Sequence, residues 1–234
     1  MFLTLQKLAL SQYKYKLMSK ALNKNTFSLH IWGDMSLFAP EGEWLSEPGL
    51  RLFWHPHFFT QALADQYLQT LQQLDWQQGQ ITLYGKTYQE PRLSLYCGDK
   101  GAHYSYSQKS MQPRSWHPLL LSLKNQLSQH FNVPFNAVLC NHYRNGQDGM
   151  GWHSDDEPEL GPSPTIASLS FGATRRFILR SKLDHNQKRS FNLNHGSLLL
   201  MAGDTQQHWQ HAVPKTQTAI ASRINLTFRA INPS

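Results

Sequence analysis

The part of the chain after Pro134 consists of short β-rich segments that are broken by glycine, proline and asparagine. Most of these segments alternate apolar and polar residues or are rich in branched and aromatic ones, which is typical of strands. The predicted strands are Phe135–Tyr143, Thr165–Phe171, Arg176–Arg180, Ser190–Leu193, Ser197–Met201 and Arg223–Ile231. Several short strands at this spacing indicate a sandwich or jelly roll. No other feature limits the possible folds as strongly.

The N-terminal half combines strand and helix patterns. Glu41–Gly49 is predicted to be a turn-rich entry to the domain, and Leu50–Trp54 a short strand. Apolar residues recur at helical spacing from Thr60, the expected N-cap, to Trp76. They do so again from Pro118 to His130, with proline in the first turn. We therefore expect an α+β fold in which helices and strands pack on a C-terminal β-barrel.

The 234 residues can bury a substantial core and are most economically one catalytic domain, residues 35–234, behind an extension, residues 1–34. The net charge of +7 is unevenly distributed. Residues 1–33 contain five lysines and no acid or arginine, so the rest of the chain has 17 cations against 15 acids. The total charge is thus only mild support for a polyanionic partner.

The extension is predicted to be poorly ordered and unnecessary for chemistry. An organelle transit peptide and a start codon assigned too early, with Met18 or Met35 as the true start, are alternatives. No apolar run approaches the roughly 18–20 residues that span a bilayer, so no membrane association is expected. Cys97 and Cys140 are too few for a disulfide framework, which predicts a reducing compartment. We expect a monomer without an obligate protein partner, in the cytoplasm (with the nucleoid if bacterial) or in the nucleus if eukaryotic.

Three residues form a candidate metal motif: His153 and Asp155, with His211 after 55 intervening residues. Two imidazoles and one carboxylate suit a divalent iron that is bound on one face, which leaves the other face open. The motif alone is a weak signal, because 12 histidines give many such pairings. From the residues alone, His208 also remains a candidate for the third ligand.

The last predicted strand alternates between polar and apolar residues. With a period of two, Arg223, Asn225, Thr227 and Arg229 share one face, and Ile224, Leu226 and Phe228 share the other. A solvated edge strand would have this pattern, but so would the inside of a small barrel that holds an acidic ligand. Guanidinium binds carboxylate bidentately. Asn141 and Tyr143 share a face of their strand in the same way.

Together these segments resemble the AlkB-type iron(II)/2-oxoglutarate dioxygenases, most closely the subgroup that repairs alkylated duplex DNA. The resemblance covers about residues 50–231 with order and spacing kept. Its segments are Asn141–Arg144, His153–Glu157, His195–Leu199, Trp209–His211 and Arg223–Arg229. It implies a double-stranded β-helix core (jelly-roll, cupin-like) at about residues 134–231 and an N-terminal helical and β nucleotide-recognition lid at about residues 77–110.

The resemblance also implies ligands. The iron would be held by His153, Asp155 and His211, the last being the histidine before Ala212-Val213-Pro214. Arg223 would pair with the far carboxylate of the cosubstrate 2-oxoglutarate. The remaining residues that would bind or buttress it are Asn141, Tyr143, Asn225 and Arg229.

The implied reaction couples decarboxylation of 2-oxoglutarate, with dioxygen, to hydroxylation of a methyl group on a damaged base. The product decomposes to formaldehyde and the repaired base. The expected substrates are 1-methyladenine and 3-methylcytosine in DNA, preferably duplex. The methylated nitrogen lies inside a duplex, so the base must be flipped out. The alternatives are the same chemistry on RNA or single-stranded DNA, and a non-catalytic nucleic-acid-binding module, against which the complete triad and both arginines argue.

Substrate contacts follow from the same resemblance. The flipped base would stack between His153 and Tyr106, where the subgroup has phenylalanine. Tyr104 and Glu157 would contact the nucleotide and base. The residues expected at the duplex are Leu83, Tyr84 and Gly85, as a hairpin whose Tyr84 is an apolar wedge, and Arg92, as a duplex or phosphate contact. The hairpin is alternatively an ordinary β-turn, and Lys86, Lys100 and Lys109 are either phosphate contacts or solvated charge.

Overall fold

The computed structural model of the protein describes residues 42–83, 85–106 and 109–232, and for residues 82, 83, 105, 106, 109 and 110 the backbone alone. The predicted extension, residues 1–34, lies outside the described residues. Among the described residues, no helix has both the length and the apolar character needed to cross a membrane.

The first half of the described chain contains six strands and two helices. In chain order these are β1 Glu43–Glu47, β2 Leu50–His55, α1 Gln61–Gln72, β3 Gln77–Leu83, β4 Lys86–Gly98, β5 Tyr104–Tyr106, β6 Lys109–Met111 and α2 Pro118–Phe131. Both helices begin where the sequence predicts. The Thr60 hydroxyl caps α1 by accepting a hydrogen bond from the Leu63 amide, and Pro118 occupies the first turn of α2.

The second half is almost entirely strand. Its elements are β7 Ala137–Tyr143, β8 Met150–His153, a 3₁₀ helix Pro158–Leu160, β9 Ile166–Gly172, β10 Arg175–Ser181, β11 Lys188–Leu193, β12 Ser197–Ala202, α3 Thr205–His208, β13 Trp209–Val213 and β14 Arg223–Arg229. The six strands predicted here are confirmed to within a few residues at each end. The sequence did not reveal β8 and β13, the two short strands on which both histidine ligands lie.

The strands form a large and a small antiparallel sheet. The large sheet has the order β1-β2-β12-β9-β14-β7-β4-β3, the small sheet has the order β11-β10-β13-β8, and β5 and β6 form a separate hairpin. The inner faces of the two sheets share one apolar cluster, to which Leu139 of β7, Phe177 of β10 and Trp209 of β13 belong. Helices α1 and α2 cover the outer face of the large sheet. The predicted jelly-roll core is therefore confirmed.

Two predictions about the N-terminal half need revision. The turn-rich entry is wrong, because its centre is strand β1, which pairs with β2 along its whole length. The Trp44 ring packs 5.5 Å from the Phe53 ring across this pair, and only Pro48 and Gly49 make the turn. The segment expected to form the lid, residues 77–110, belongs in part to the large sheet of the core, since Leu93–Gly98 of β4 pairs with β7. The outer pairing of β3 with β4 thus continues the large sheet.

Candidate metal and cosubstrate site

The small sheet brings the two histidines of the metal motif together. His153 is the last residue of β8, and His211 lies in the middle of β13, directly opposite it in the register of the two strands. Their ring centroids are 4.2 Å apart. Asp155 follows two residues after β8, and ligand atoms of the three side chains lie within 4.8 Å of one another. The structure therefore brings together the three residues that the motif singled out.

Both imidazoles are held in the neutral form that binds metal. Burial lowers the pKa of His153, and the same cause, with the neighbouring His153, lowers the pKa of His211 to about 3. Nδ1 of His153 lies 2.9 Å from the Gly151 carbonyl oxygen, which can only accept a hydrogen bond. Nδ1 therefore carries the proton, and the lone pair of Nε2 is available to a metal.

Asp155 is ionised although it is almost completely buried. Burial alone would raise the pKa of its carboxyl, but the charge of Arg229 and its hydrogen bond outweigh burial and hold the pKa at about 2. Nη2 of Arg229 donates to Oδ1 at 2.7 Å, while Oδ2 lies 3.9 Å from Nε2 of His211. One carboxylate oxygen is thus fixed by the arginine, and the other faces the histidine ligand.

The polar face of β14 forms the floor of the same cavity. β14 lies between β9 and β7 in the large sheet, and all seven of its residues are buried. Arg223 stands opposite Tyr143, and Asn225 opposite Asn141. These four residues line the cavity together with Arg229 and the triad. The predicted sharing of a face is confirmed, and the alternative of a solvated edge strand is wrong because β14 has a neighbour on each side.

Arg223 is the strongest indication of an anionic ligand. Its Nη2 donates to the Ser170 hydroxyl at 2.9 Å, but Nε and Nη1 are buried without a hydrogen-bond partner among the described residues. Burial, together with Arg175, lowers its pKa to about 10, so the guanidinium remains charged near neutral pH. A buried donor without an acceptor costs about 1–3 kcal/mol. A carboxylate that accepts from Nε and Nη1 would remove this penalty.

Arg229 adds a second unsatisfied donor closer to the triad. Its Nε is also buried without a partner among the described residues, while Nη2 is held by Asp155. Two guanidinium groups on one strand, one beside the metal ligand Asp155 and one opposite Tyr143, fit the two carboxylates of a small dicarboxylate. The donor set is therefore suited to 2-oxoglutarate beside a divalent metal.

The amides of the cavity have different surroundings. Asn225 donates from Nδ2 to the Ser168 hydroxyl and to the Leu169 carbonyl, and its Oδ1 accepts from the Thr227 hydroxyl. Its polar atoms are thus engaged by the protein, which fits a buttressing role. Oδ1 of Asn141 accepts from Nε of Arg92 at 2.9 Å.

Arg92 lies elsewhere than the sequence led us to expect. Its side chain is buried, with 6% of the residue exposed, and it lines the metal cavity. Nη2 lies 3.8 Å from a Glu90 carboxylate oxygen. A guanidinium enclosed in this way does not reach a phosphate outside the protein, so the expected duplex contact is corrected to a contact with Asn141. The partners are 49 residues apart in sequence, and no local pattern connects them.

Two of the predicted substrate residues lie beside the triad. Tyr104 is fully buried, and its ring lies 5.2 Å from the guanidinium carbon of Arg229. Glu157 follows Asp155 by two residues, and burial, together with Asp155, raises its pKa. Their contacts with a nucleotide stay a prediction.

The remaining substrate residues fall partly outside the described structure. Tyr84 lies outside the described residues, as do the side chains of Leu83 and Tyr106. The backbone of Leu83 pairs with that of Lys86, so the predicted hairpin is present, and Gly85 has the positive φ of 74° that a tight turn requires. The wedge and the stacking of Tyr106 stay predictions.

Sequence reasoning missed several residues of the cavity wall. Phe177 stacks on His211, with centroids 5.2 Å apart and planes 29° from parallel. It lies on a predicted strand, but no motif marks it. The other apolar lining residues are Leu139, Met150, Leu193, Met201 and Val213. Only the pairing of the two sheets brings them to the metal ligands.

The outer side of the small sheet carries a second group of cations, which we call the cationic face. It consists of Arg176, Arg180 and Lys188, which occupy outward-facing positions of β10 and β11. None of the four strands of this sheet contains an aspartate or glutamate. Trp152, 36% exposed, lies next to this face with the guanidinium carbon of Arg180 4.2 Å from its ring centroid.

Comparisons with known proteins agree with this geometry. Residues 51–229 match the model of the 2OG-Fe(II) oxygenase superfamily. The chain is 43% identical over 200 residues to human alpha-ketoglutarate-dependent dioxygenase alkB homolog 3, covering 81% of this chain and 69% of the relative. It is 38% identical over 188 residues to mouse DNA oxidative demethylase ALKBH2, covering 75% and 78%. A solved structure of OsALKBH1 shares the fold, with a TM-score of 0.57, 18% identity, and coverage of 81% of this chain and 99% of that one.

Proposed function

The chain belongs to the 2OG-Fe(II) oxygenase superfamily and is an AlkB-type 2-oxoglutarate-dependent dioxygenase, and on that premise we propose that it demethylates N-alkylated bases of DNA. The proposed substrates are 1-methyladenine and 3-methylcytosine, preferably in duplex DNA. Fe(II) is the metal, and 2-oxoglutarate and dioxygen are the cosubstrates. The proposed form in solution is a monomer.

The proposal rests on one observation, the proximity of the complete triad to the unsatisfied donors of Arg223 and Arg229. This proximity supports a divalent-metal site and a dicarboxylate site in one cavity, as this chemistry requires. A non-catalytic binding module has no use for buried donors that lack acceptors, because each destabilises the fold.

The residues of the chain prepare the cavity. The iron and its cosubstrates, when bound, would supply the oxidation of the N-methyl group. Asp155 stays ionised and both histidines stay neutral, so the ligands need not lose protons when the metal binds. Arg223 would hold the far carboxylate of 2-oxoglutarate. Phe177 and the apolar wall around His211 keep water from the reacting atoms.

Nucleic acid is the proposed partner because of the relatives and the charge. The mouse relative is named a DNA oxidative demethylase. The cationic face, without acidic residues on its strands, would attract a phosphate backbone near the metal cavity. The flipped base would stack on His153, with Tyr106 as the opposing ring and Tyr104 and Glu157 at its edge. Tyr84 at the β3–β4 turn would fill the gap that the base leaves.

The test measures succinate and formaldehyde from purified protein with Fe(II), 2-oxoglutarate and oligonucleotides that carry 1-methyladenine or 3-methylcytosine. Duplex DNA, single-stranded DNA and RNA of one sequence are compared. Formaldehyde is expected in stoichiometric amounts with succinate, and fastest from duplex DNA. Faster turnover of RNA or single-stranded DNA would assign those substrates instead. No formaldehyde from any oligonucleotide, with iron bound, would exclude the repair function.

The wedge is tested with Tyr84→Ala and the control Tyr88→Ala, which removes a half-exposed tyrosine from the neighbouring strand. Tyr84→Ala is expected to slow turnover of duplex DNA and to leave turnover of single strands unchanged, because only a duplex needs the gap filled. Equal rates on duplex DNA for both variants and the wild type would show that Tyr84 is an ordinary turn residue.

A further inference from the structure

Asp155 differs from the other two metal ligands in the way its backbone is held. His153 and His211 belong to paired strands, whose ladder fixes their position. β8 ends at His153, so Asp155 lies outside the ladder. Its backbone N–H instead donates to Oε1 of Gln206 at 2.9 Å. A side chain from a distant part of the sequence thus takes the place of a strand neighbour.

Gln206 is itself fixed at both ends of its amide. It is 1% exposed and lies in α3, the short helix between β12 and β13. Its Nε2 donates to the sulfur of Met201 at 3.3 Å, and Met201 lines the metal cavity. Because the N–H group has an acceptor on one side, the oxygen must face the amide of Asp155 on the other. The orientation of the amide is therefore determined.

The residues on either side of Asp155 are held by the same region. The Ser154 hydroxyl donates to the Trp209 carbonyl at 3.0 Å. Nζ of Lys182 donates to the Gln206 carbonyl at 2.9 Å and to a carboxylate oxygen of Asp156 at 3.1 Å. We call residues 154–156 the Asp155 segment. Asp155 and Ser154 are thus anchored directly to α3 and to the start of β13, the strand on which His211 lies, and Asp156 is joined to α3 through Lys182.

We propose that Gln206 is a positioning residue for the metal centre, which sets the distance of Asp155 from His211 before any metal is bound. Arg229 fixes the carboxylate through Oδ1, and Gln206 fixes the backbone, so Oδ2 faces the imidazole of His211. Gln206 acts on the metal centre by holding the backbone of Asp155. The proposal depends on the metal site alone and is independent of the proposed activity on DNA.

The experiment compares Gln206→Met with Gln207→Met. Methionine has nearly the length of glutamine but cannot accept the hydrogen bond from Asp155, and Gln207 is the exposed next residue of the same helix. Co(II) is titrated into each metal-free protein without nucleic acid, and its affinity and ligand-field absorption are recorded. Gln206→Met is expected to bind Co(II) about 10–100-fold more weakly, the range typical of partners that orient metal ligands, with a changed spectrum. Gln207→Met is expected to match the wild type.

A purely structural role for Gln206 would give a different result. It would lower the thermal unfolding midpoint of the metal-free protein but leave the affinity and the spectrum unchanged at temperatures well below that midpoint. That outcome would overturn the proposal. Should Gln206→Met fail to fold, Gln206→Asn keeps the amide but is one methylene shorter, and the same weakening is expected of it. A wild-type affinity in Gln206→Asn would equally contradict the proposal.

Discussion

Strands β14 and β10 both carry arginines on one face, yet these side chains lie in opposite environments. β14 is central in the large sheet, and its Arg223 and Arg229 are buried in the metal cavity. β10 belongs to the small sheet, and its Arg176 and Arg180 face outward. A buried guanidinium with unsatisfied donors selects one anion by shape. An outward one attracts any anion and is screened by salt. Because each of these strands has a neighbour on both sides, the face of the strand on which an arginine lies decides what the arginine does.

The largest effect is expected from Arg223→Met, which removes a buried cation from the lining of the cavity. Each hydrogen bond from a charged group is worth about 1.5–3 kcal/mol, so losing two of them should weaken 2-oxoglutarate binding more than ~100-fold. Calorimetry with the Mn(II)-loaded protein measures this. The matched control is Arg176→Met on the cationic face, for which the affinity should be unchanged. Equal losses of 2-oxoglutarate affinity in both variants would mean that the arginines of β14 and β10 do not differ in how they bind this anion.

The second prediction concerns the pH dependence that the buried His211 of the metal cavity gives to the stability of the protein. Burial lowers the pKa of His211 from 6.5 to about 3, whereas an unfolded chain titrates near the usual value. Between these two pH values the unfolded state binds more protons. The free energy of unfolding of the metal-free protein should therefore be fully present above pH 6.5 and fall as the pH drops below it.

Urea unfolding of the metal-free protein between about pH 7.5 and about pH 5 tests this dependence. His211→Gln, which removes the titrating group, should give a shallower slope than the wild type. His185→Gln, at an exposed position between β10 and β11, should keep the full slope. Identical slopes in His211→Gln and the wild type would mean that His211 is not held neutral by burial.

The comparison of β14 with β10 also shows how far the sequence predicts the site. Alternation in Arg223–Arg229 predicted which side chains share a face, because the period of a strand is local. It left open whether the strand is central or at an edge, since that depends on its neighbours. The contacts of Arg92 with Asn141 and of Gln206 with Asp155 span 49 and 51 residues. Such pairs arise from sheet topology and have no local signal.

A smaller effect is expected when the cationic face is neutralised by the combined substitutions Arg176→Ala, Arg180→Ala and Lys188→Ala. Binding of a methylated oligonucleotide should weaken about tenfold at low salt. The dependence of log affinity on log salt should become less steep by about 0.7–0.9 for each phosphate that these side chains neutralise in the wild type. Fluorescence anisotropy at several salt concentrations measures both. The 2-oxoglutarate affinity should not change. An unaltered salt dependence would show that nucleic acid does not bind to this face.

The smallest effect is expected at Lys182, the residue that connects the end of β10 with the Asp155 segment. It follows β10 directly and holds the Asp155 segment through Asp156 and the Gln206 carbonyl. Its side chain is 31% exposed and that of Asp156 56%, and ion pairs so exposed are worth about 0–1 kcal/mol. Lys182→Ala should therefore weaken Co(II) binding less than about fivefold, because Gln206 and Arg229 still hold Asp155. A loss of Co(II) affinity as large as that expected for Gln206→Met would mean that the position of Asp155 depends on the contacts of Lys182 at the end of β10.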